Sequence, residues 1–331
     1  MPSHRLTLGS GYGGSAAVLG AIYGLGMLYA DQGKLKEAEN MYVRALEGYE
    51  KAWGADHTST LSMVNNLGNL YANQGKLAKA EKMYERALEG YEKAWGADHT
   101  LTLDTVNNLG ALYKDQGKLT EAEKMYVRAL EGKEKEGVPD HALLHELNNL
   151  GILYADQVKL VEAEKMYVRA LEGKEKALGP QHTSTLDTVN NLGNLYSIQG
   201  KLAEAEKMYR RALEGYEKAL GPDSVKTYIP ALNSMYGLGV LLASEGRVEE
   251  ARATYLAALD GREKVFGRDN TKCKDVLQQL RQLDTSQESQ DLHHQATVPQ
   301  LNTSRSPLSF EQTGDKSHSR RKRLLRKLGL R

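Results

Sequence analysis

Apolar and polar positions follow the periodicity of α-helices along most of this chain. Residues 61–75 place four positions at i, i+3, i+4 and i+7 on one helical face: Val64, Leu67, Gly68 and Tyr71. After the turn at Gly75, residues 76–96 carry a second such stripe, from Leu77 to Trp95, and Gly96 supplies a helix stop. No segment shows the two-residue alternation of a strand. The pattern predicts pairs of helices joined by short turns.

The helical pair recurs at a fixed period. The motif NNLG occurs at Asn65–Gly68, Asn107–Gly110, Asn148–Gly151 and Asn190–Gly193, with degenerate copies ending at Gly26 and Gly239. Successive glycines of the motif are 42, 42, 41, 42 and 46 residues apart. A constant period of this size is typical of solenoids, in which each unit buries its apolar faces against its neighbours.

Six positions of each copy carry a family resemblance. In the second copy they are Leu67, Gly68, Tyr71, Ala80, Tyr84 and Ala87, and only Leu242 of the sixth copy departs from these residue types. This order resembles the tetratricopeptide repeat. The extended second helix is similar to the kinesin light chain subtype, and its wording is also similar to arrays of fungal nucleotide-binding receptor-like proteins. The resemblance implies an all-α, right-handed α-solenoid of six helical hairpins.

Composition divides the chain into three predicted segments: a flexible leader at 1–15, the repeat array with a C-terminal capping helix at 16–284, and a disordered tail at 285–331. The tail ends in thirteen residues with seven basic side chains and no acidic one. Because the whole chain carries +1, residues 1–318 carry −6. The single cysteine, Cys273, excludes an internal disulfide, and no apolar stretch is long enough to predict a membrane span.

Candidate chemistry is sparse. A histidine recurs in the linkers between copies, and because stacked units hold such residues too far apart for one metal ion, we expect these residues to cap loops: His57, His99, His141 and His182. The GxGxxG string at Gly9–Gly14 has no βαβ context, so it does not indicate a dinucleotide site. We expect no enzyme, no cofactor and no metal.

The outward face of the first helices is the candidate binding surface. The resemblance implies that this face lines the groove of the array. The expected peptide-contacting residues are Asn66, Asn69, Asn108, Asn149, Asn191, Asn194, Asp115 and Asp156. The same stripe includes Ser62, Asp104, Asp187 and Asn233. Asparagine amides can donate to and accept from a peptide backbone, although they could also merely cap or solvate helices.

The predicted function is a non-catalytic protein–protein interaction scaffold. Since the predicted groove is acidic, we expect a protein or peptide partner that is not strongly acidic, and no small-molecule substrate, nucleic acid or membrane. The alternatives are the repeat portion of a longer nucleotide-binding receptor-like protein and a cargo adaptor of the kinesin light chain type. The expected location is the cytoplasm. The basic cluster Arg320, Arg321, Lys322 and Arg323 leaves four interpretations open: a solubilising tail, nuclear import, contact with anionic lipid or non-specific nucleic-acid binding.

One turn departs from the repeat. Five copies have glycine between their helices, at Gly33, Gly75, Gly117, Gly200 and Gly246, whereas the fourth has Val158. If this turn requires positive φ, Val158 is predicted to be strained.

Overall fold

A computed structural model describes residues 11–137 and 143–297 of the chain. These residues form thirteen α-helices and a short 3₁₀ turn at Ser224–Thr227, and they contain no β-strand. The helices are α1 (Gly11–Asp31), α2 (Leu35–Trp53), α3 (Thr58–Asn73), α4 (Leu77–Trp95), α5 (Thr100–Asp115), α6 (Leu119–Lys135), α7 (Leu144–Asp156), α8 (Leu160–Leu178), α9 (Thr183–Gln199), α10 (Leu202–Leu220), α11 (Ile229–Ser244), α12 (Val248–Phe266) and α13 (Thr271–Thr297). The predicted all-α fold is confirmed.

The chain divides into two compact units, Met1–Leu153 and Tyr154–Arg331. In the first unit, α1–α2, α3–α4 and α5–α6 are helical hairpins, which stack through α2 on α3 and α4 on α5. In the second unit, α9–α10 and α11–α12 are hairpins, α8 packs on α9, α10 packs on α11, and α13 covers α12. Within each unit, the core therefore runs from one hairpin to the next, as in a solenoid.

The two helices of a hairpin approach closely at the motif glycine. A Cβ atom on Gly68 of α3 would lie 2.7 Å from Cε1 of Tyr84 in α4, which is closer than real Cβ contacts. Ala80 and Ala87 are fully buried on either side of this tyrosine. The glycine of the NNLG motif thus has a packing role, because the Tyr84 ring fills the space that a side chain at Gly68 would occupy.

The turn between paired helices is a Schellman motif. The N–H of Gly75 donates to the carbonyl of Ala72, and the N–H of Lys76 donates to that of Tyr71, each at 2.9 Å. Gly75 has a φ of 71°, and Val158 at the same place in the fourth repeat has a φ of 62°. The two corresponding hydrogen bonds of the Val158 turn are 3.0 and 2.8 Å long. Val158 therefore adopts the left-handed conformation that the sequence predicted for this turn.

Ion pairs link successive hairpins on the surface of the second helices. Lys76 Nζ lies 2.6 Å from Glu39 Oε2, and Arg86 Nη2 lies 2.6 Å from Glu50 Oε1. The equivalent pairs one period further are Lys118–Glu81 and Arg128–Glu92. Because these side chains are partly exposed, each pair contributes at most about 1 kcal/mol and acts mainly on the register between hairpins.

Two predicted segment boundaries differ from the structure. Helix α1 begins at Gly11 rather than after residue 15, and α13 extends to Thr297 rather than ending at 284. Residues 285–297 contain neither glycine nor proline, so their sequence holds no helix breaker, although their polarity suggested a disordered segment.

Candidate peptide-binding surface

The structure places the predicted contact residues on the first helices of their hairpins. Asp115 is exposed at the end of α5, whereas the other seven are partly buried: Asn66, Asn69, Asn108, Asn149, Asp156, Asn191 and Asn194. Partial burial means that each of these side chains contacts both protein and solvent. The hydrogen bonds that they form within the array determine which of their polar atoms remain available to a ligand.

Several of the asparagines connect neighbouring repeats. In the first unit, Asn108 Nδ2 donates to Asn65 Oδ1, and Asn149 Nδ2 donates to Asn107 Oδ1, each at 3.2 Å. Asn66 Nδ2 donates to the Tyr23 hydroxyl at 2.9 Å. The two asparagines of NNLG thus have different uses, because the second donates to the preceding repeat and the first accepts from the following one. One N–H of Asn66, Asn108 and Asn149 is therefore engaged within the array, and the expectation that these amides contact a peptide stays a prediction.

Two other asparagines hold buried tyrosines. Asn69 Oδ1 accepts a hydrogen bond from the Tyr84 hydroxyl at 2.6 Å, and in the second unit Asn194 Oδ1 accepts one from Tyr209 at 2.7 Å. Burial raises the pKa of Tyr84, and the nearby charge of Asp115 adds to this effect. The phenol therefore stays protonated and serves as the donor. In both repeats this bond fixes the amide and leaves its NH₂ group outside that contact.

The stripe positions nearer the start of each first helix bond within their own hairpin. Each is paired with the residue 29 positions later in the second helix: Ser62 with Tyr91, Asp104 with Lys133, Asp187 with Tyr216, and Asn233 with Arg262. These four members of the stripe therefore contact the second helix of their own hairpin. They point across the hairpin, where a long side chain of the second helix reaches them.

Lys133 is the most buried cation among the described residues of the first unit. Its ammonium donates to Asp104 Oδ1 at 2.7 Å and to Glu146 Oε1 at 2.5 Å. Burial lowers the pKa of Lys133, but the hydrogen bonds to the two carboxylates outweigh it, so the pKa lies above its usual value. Sequence reasoning missed this cluster. The available signal was a lysine in the slot that holds Tyr91 and Tyr216 in other repeats.

A pocket of about 400 Å³ opens between α3 and α5 in the first unit. We call it the α3–α5 pocket, and it is lined by Asn69, Ala72, Asn73, Tyr84, Asn108, Ala111, Leu112 and Asp115. The small side chains of Ala72 and Ala111 leave the space open, while the Tyr84–Asn69 hydrogen bond holds one wall. Asn69, Asn108 and Asp115 therefore meet at one place, as members of the predicted surface.

Charge is unevenly compensated around this pocket. The carboxylate of Asp104 is paired with Lys133, but Asp115 makes no ion pair with any residue in the described part of the chain. In the second unit, Asp187 accepts from the Tyr216 hydroxyl, and Asp156 lies at the end of α7, where its charge adds to burial in raising the pKa of Tyr167. The α3–α5 pocket thus carries an uncompensated negative charge on its rim.

The linker histidines cap helices. Nδ1 of His57, His99 and His182 each accepts a backbone N–H two residues later at 3.2 Å. Trp95, predicted on the apolar stripe, is instead half exposed and stacks on His99 with ring centroids 4.9 Å apart. The capping prediction is confirmed for these three residues, whereas His141 lies outside the described residues. The same is true of the basic cluster at 320–323.

Residues 11–137 and 143–297 offer neither a metal-ligand cluster nor a membrane-spanning helix. No group of three or more histidine, cysteine, aspartate or glutamate side chains there is arranged to hold a metal ion. None of the helices described is both long and apolar enough to cross a bilayer.

Sequence comparisons identify the repeat. A profile described as tetratricopeptide repeat matches residues 18–93, 59–135 and 140–218, and a second profile of the same description matches residues 190–264. These matches extend over more than half of the chain. A search of curated protein sequences finds no match to this chain.

Solved structures share the architecture. The chain is similar to BtubC (BKLC) from P. vanneervenii, with 21% identity and a TM-score of 0.54 over 84% of this chain and 99% of that one. It is also similar to a Podosopora anserina putative kinesin light chain with nearly identical TPR-like repeats, with 19% identity and a TM-score of 0.53 over 62% and 97% of the two chains. PilW, a type IV pilus biogenesis factor, gives 16% identity and a TM-score of 0.56 over 78% and 98%. Likeness at these identities shows the fold alone. The chain belongs to the tetratricopeptide repeat family, whose members are in general non-catalytic scaffolds that bind protein or peptide partners.

Proposed function

We propose that this protein is a non-catalytic scaffold that binds an extended peptide segment of a partner protein on the first-helix surface of its first unit. The single observation that carries the proposal is the α3–α5 pocket, where three residues of the predicted surface converge around an open volume of about 400 Å³. Peptide-binding surfaces commonly combine such a pocket for a side chain with polar groups that hold the backbone.

The polar groups at the pocket are suited to a peptide backbone. The side-chain amide of Asn108 donates one N–H to Asn65 Oδ1, and within residues 11–137 its side-chain oxygen Oδ1 accepts no hydrogen bond. Asn73 is exposed on the rim, and its side-chain amide forms no hydrogen bond with any described residue. Both amides can therefore pair with the N–H and C=O groups of an extended chain without breaking contacts inside the array.

A neutral substitution that fills the pocket tests this proposal. Peptides selected from a random twelve-residue display library on the full chain would be measured by fluorescence anisotropy. Ala111→Gln places a long uncharged side chain in the pocket and is expected to weaken binding at least tenfold. Thr120→Gln, on the exposed start of α6 and outside the pocket lining, is the matched control and should leave binding unchanged.

The folded state of both variants would be compared by circular dichroism, since both changes introduce the same side chain on a helix. Equal affinities of Ala111→Gln and Thr120→Gln for the selected peptides would contradict the proposal. Failure to select any peptide that distinguishes the two variants would contradict it as well.

A further inference from the structure

We infer that the α3–α5 pocket selects a lysine or arginine side chain of the bound peptide, an inference that rests on the proposed function and specifies its ligand. The occupant is thus a partner segment with a basic residue at one fixed position. The inference depends on the charge, the hydrogen-bonding character and the position of the groups that line the pocket.

The first argument is charge. Asp115 is exposed on the rim, and it is the pocket's one charged lining residue. Within the described ranges its carboxylate forms no ion pair, whereas Asp104 of the same helix is paired with Lys133. A cation that pairs with Asp115 would therefore come from outside these residues.

The second argument is the kind of hydrogen-bonding groups present. Asn108 offers a carbonyl oxygen, and Asn73 offers a complete amide. Together with Asp115, these groups supply several acceptors within one pocket. A lysine ammonium has three donors and an arginine guanidinium has five, so either is matched to such a set, whereas a carboxylate has only acceptors.

The third argument is the position of Asp115 in its helix. It is the last residue of α5, where the helix dipole presents its negative end and disfavours an acidic side chain. The corresponding last residue of α3 is the uncharged Asn73, whereas α1 and α7 also end in aspartate, at Asp31 and Asp156. Helix stability does not favour a carboxylate at this position, and Asp115 is the one of these aspartates that lines the α3–α5 pocket.

The fourth argument is the shape of the pocket. Ala72, Ala111 and Leu112 provide apolar walls beside the Tyr84 ring, whose hydroxyl is held by Asn69. Long basic side chains bury their methylene stems against apolar surface and keep the charged group at a polar rim. Apolar walls with a carboxylate at the rim match that division.

Charge reversal in the selection experiment tests the inference. Twelve-residue peptides would be selected on the wild-type full chain and on Asp115→Arg, with Asp98→Arg as control, because Asp98 is exposed, lies outside the pocket lining and gives the same change in net charge. Wild-type and Asp98→Arg selections are expected to enrich lysine or arginine at one position. The Asp115→Arg selection should lose that preference and enrich aspartate or glutamate there.

Single peptides make the effect quantitative. Replacing the enriched basic residue by glutamine should weaken binding to the wild type about tenfold, and should have little effect on binding to Asp115→Asn. Peptides without a basic residue that bind the wild type and are lost on Ala111→Gln would refute the inference while leaving the proposed function intact. An unchanged basic preference in Asp115→Arg would refute it too. Selected peptides that ignore Ala111→Gln would refute both.

Discussion

Replacing Val158 by glycine should stabilise this protein, although it removes a side chain. Val158 occupies the position that is glycine in the other turns between paired helices, and it has a φ of 62°. An L-residue in the left-handed region costs about 1–2 kcal/mol, and a β-branched side chain is among the least tolerant of it. Its side chain is 43% exposed, so little apolar burial is lost on its removal.

The net gain is smaller than the strain, because glycine also increases the freedom of the unfolded chain at a cost of about 0.4–1 kcal/mol. We expect a gain of about 0.8 kcal/mol in the free energy of unfolding, or about 1–2 °C in melting temperature for an array of this length. Since stability in repeat arrays is partly local, hydrogen exchange of the amides in α8 should slow as well.

Two further variants separate this cause from others. Val168→Gly removes the same side chain from the middle of α8, where φ is ordinary, and should destabilise by about 0.5–1 kcal/mol. Gly117→Val places the strained residue in the third repeat, where φ is 75°, and should cost about 1–2 kcal/mol. A Val158→Gly protein that melts at or below the wild-type temperature would refute the reasoning.

Three other results are expected. The buried Tyr255 hydroxyl has no hydrogen-bond partner in the described part of the chain, because Val240 occupies the position that Asn194 has in the preceding repeat. Tyr255→Phe should therefore not lower the urea midpoint of unfolding. Tyr209→Phe removes the hydrogen bond to Asn194 and should cost about 1 kcal/mol. Lys133→Met leaves Glu146 buried without its cation and should cost about 3–5 kcal/mol, but Lys174→Met, at a lysine bonded only to Ser184 O and Thr188 Oγ1, should cost much less. Burial lowers the pKa of Lys174 despite the nearby Asp187, so the contribution of Lys174 to the free energy of unfolding should improve as the pH rises from that folded-state pKa towards about 10.4. The pKa of Lys133 is raised, so the contribution of Lys133 should be lost only above about pH 10.4. Unfolding of Lys133→Met and Lys174→Met between about pH 8 and 11 checks the two signs, and parallel curves would contradict them.

The fold could be predicted from the sequence because it depends on short-range pattern. The spacing of Leu67, Gly68 and Tyr71 defines a helical face, and its repetition defines the stacking. The turn at Val158 could also be inferred, since five glycines at equivalent positions indicate a backbone conformation rather than a side-chain role.

The candidate site was only partly predictable. A helical projection shows which way Asn108 points from its own helix, but not that Asn65 of the preceding repeat lies within 3.2 Å. The α3–α5 pocket arises where Ala72 of one hairpin faces Ala111 of the next, and this depends on the distance between hairpins. Buried Lys133 was missed because a charged residue in a helix is normally exposed, and its two carboxylate partners lie too far along the chain to be read from the helical pattern.

The ion pairs between hairpins bear on how an array of this kind changes length during evolution. Glu39–Lys76 and Glu81–Lys118 are chemically the same junction, as are Glu50–Arg86 and Glu92–Arg128. Unequal recombination that deletes one whole copy would bring Lys118 opposite Glu39 and Arg128 opposite Glu50, so the new neighbours would meet through contacts that already exist. The Lys133–Glu146 junction has no such duplicate among these pairs, and a deletion that separates its partners leaves a charge without a counterion. Deletion of a copy before this junction therefore re-forms the same ion pairs, whereas a deletion through the junction loses the pair between Lys133 and Glu146.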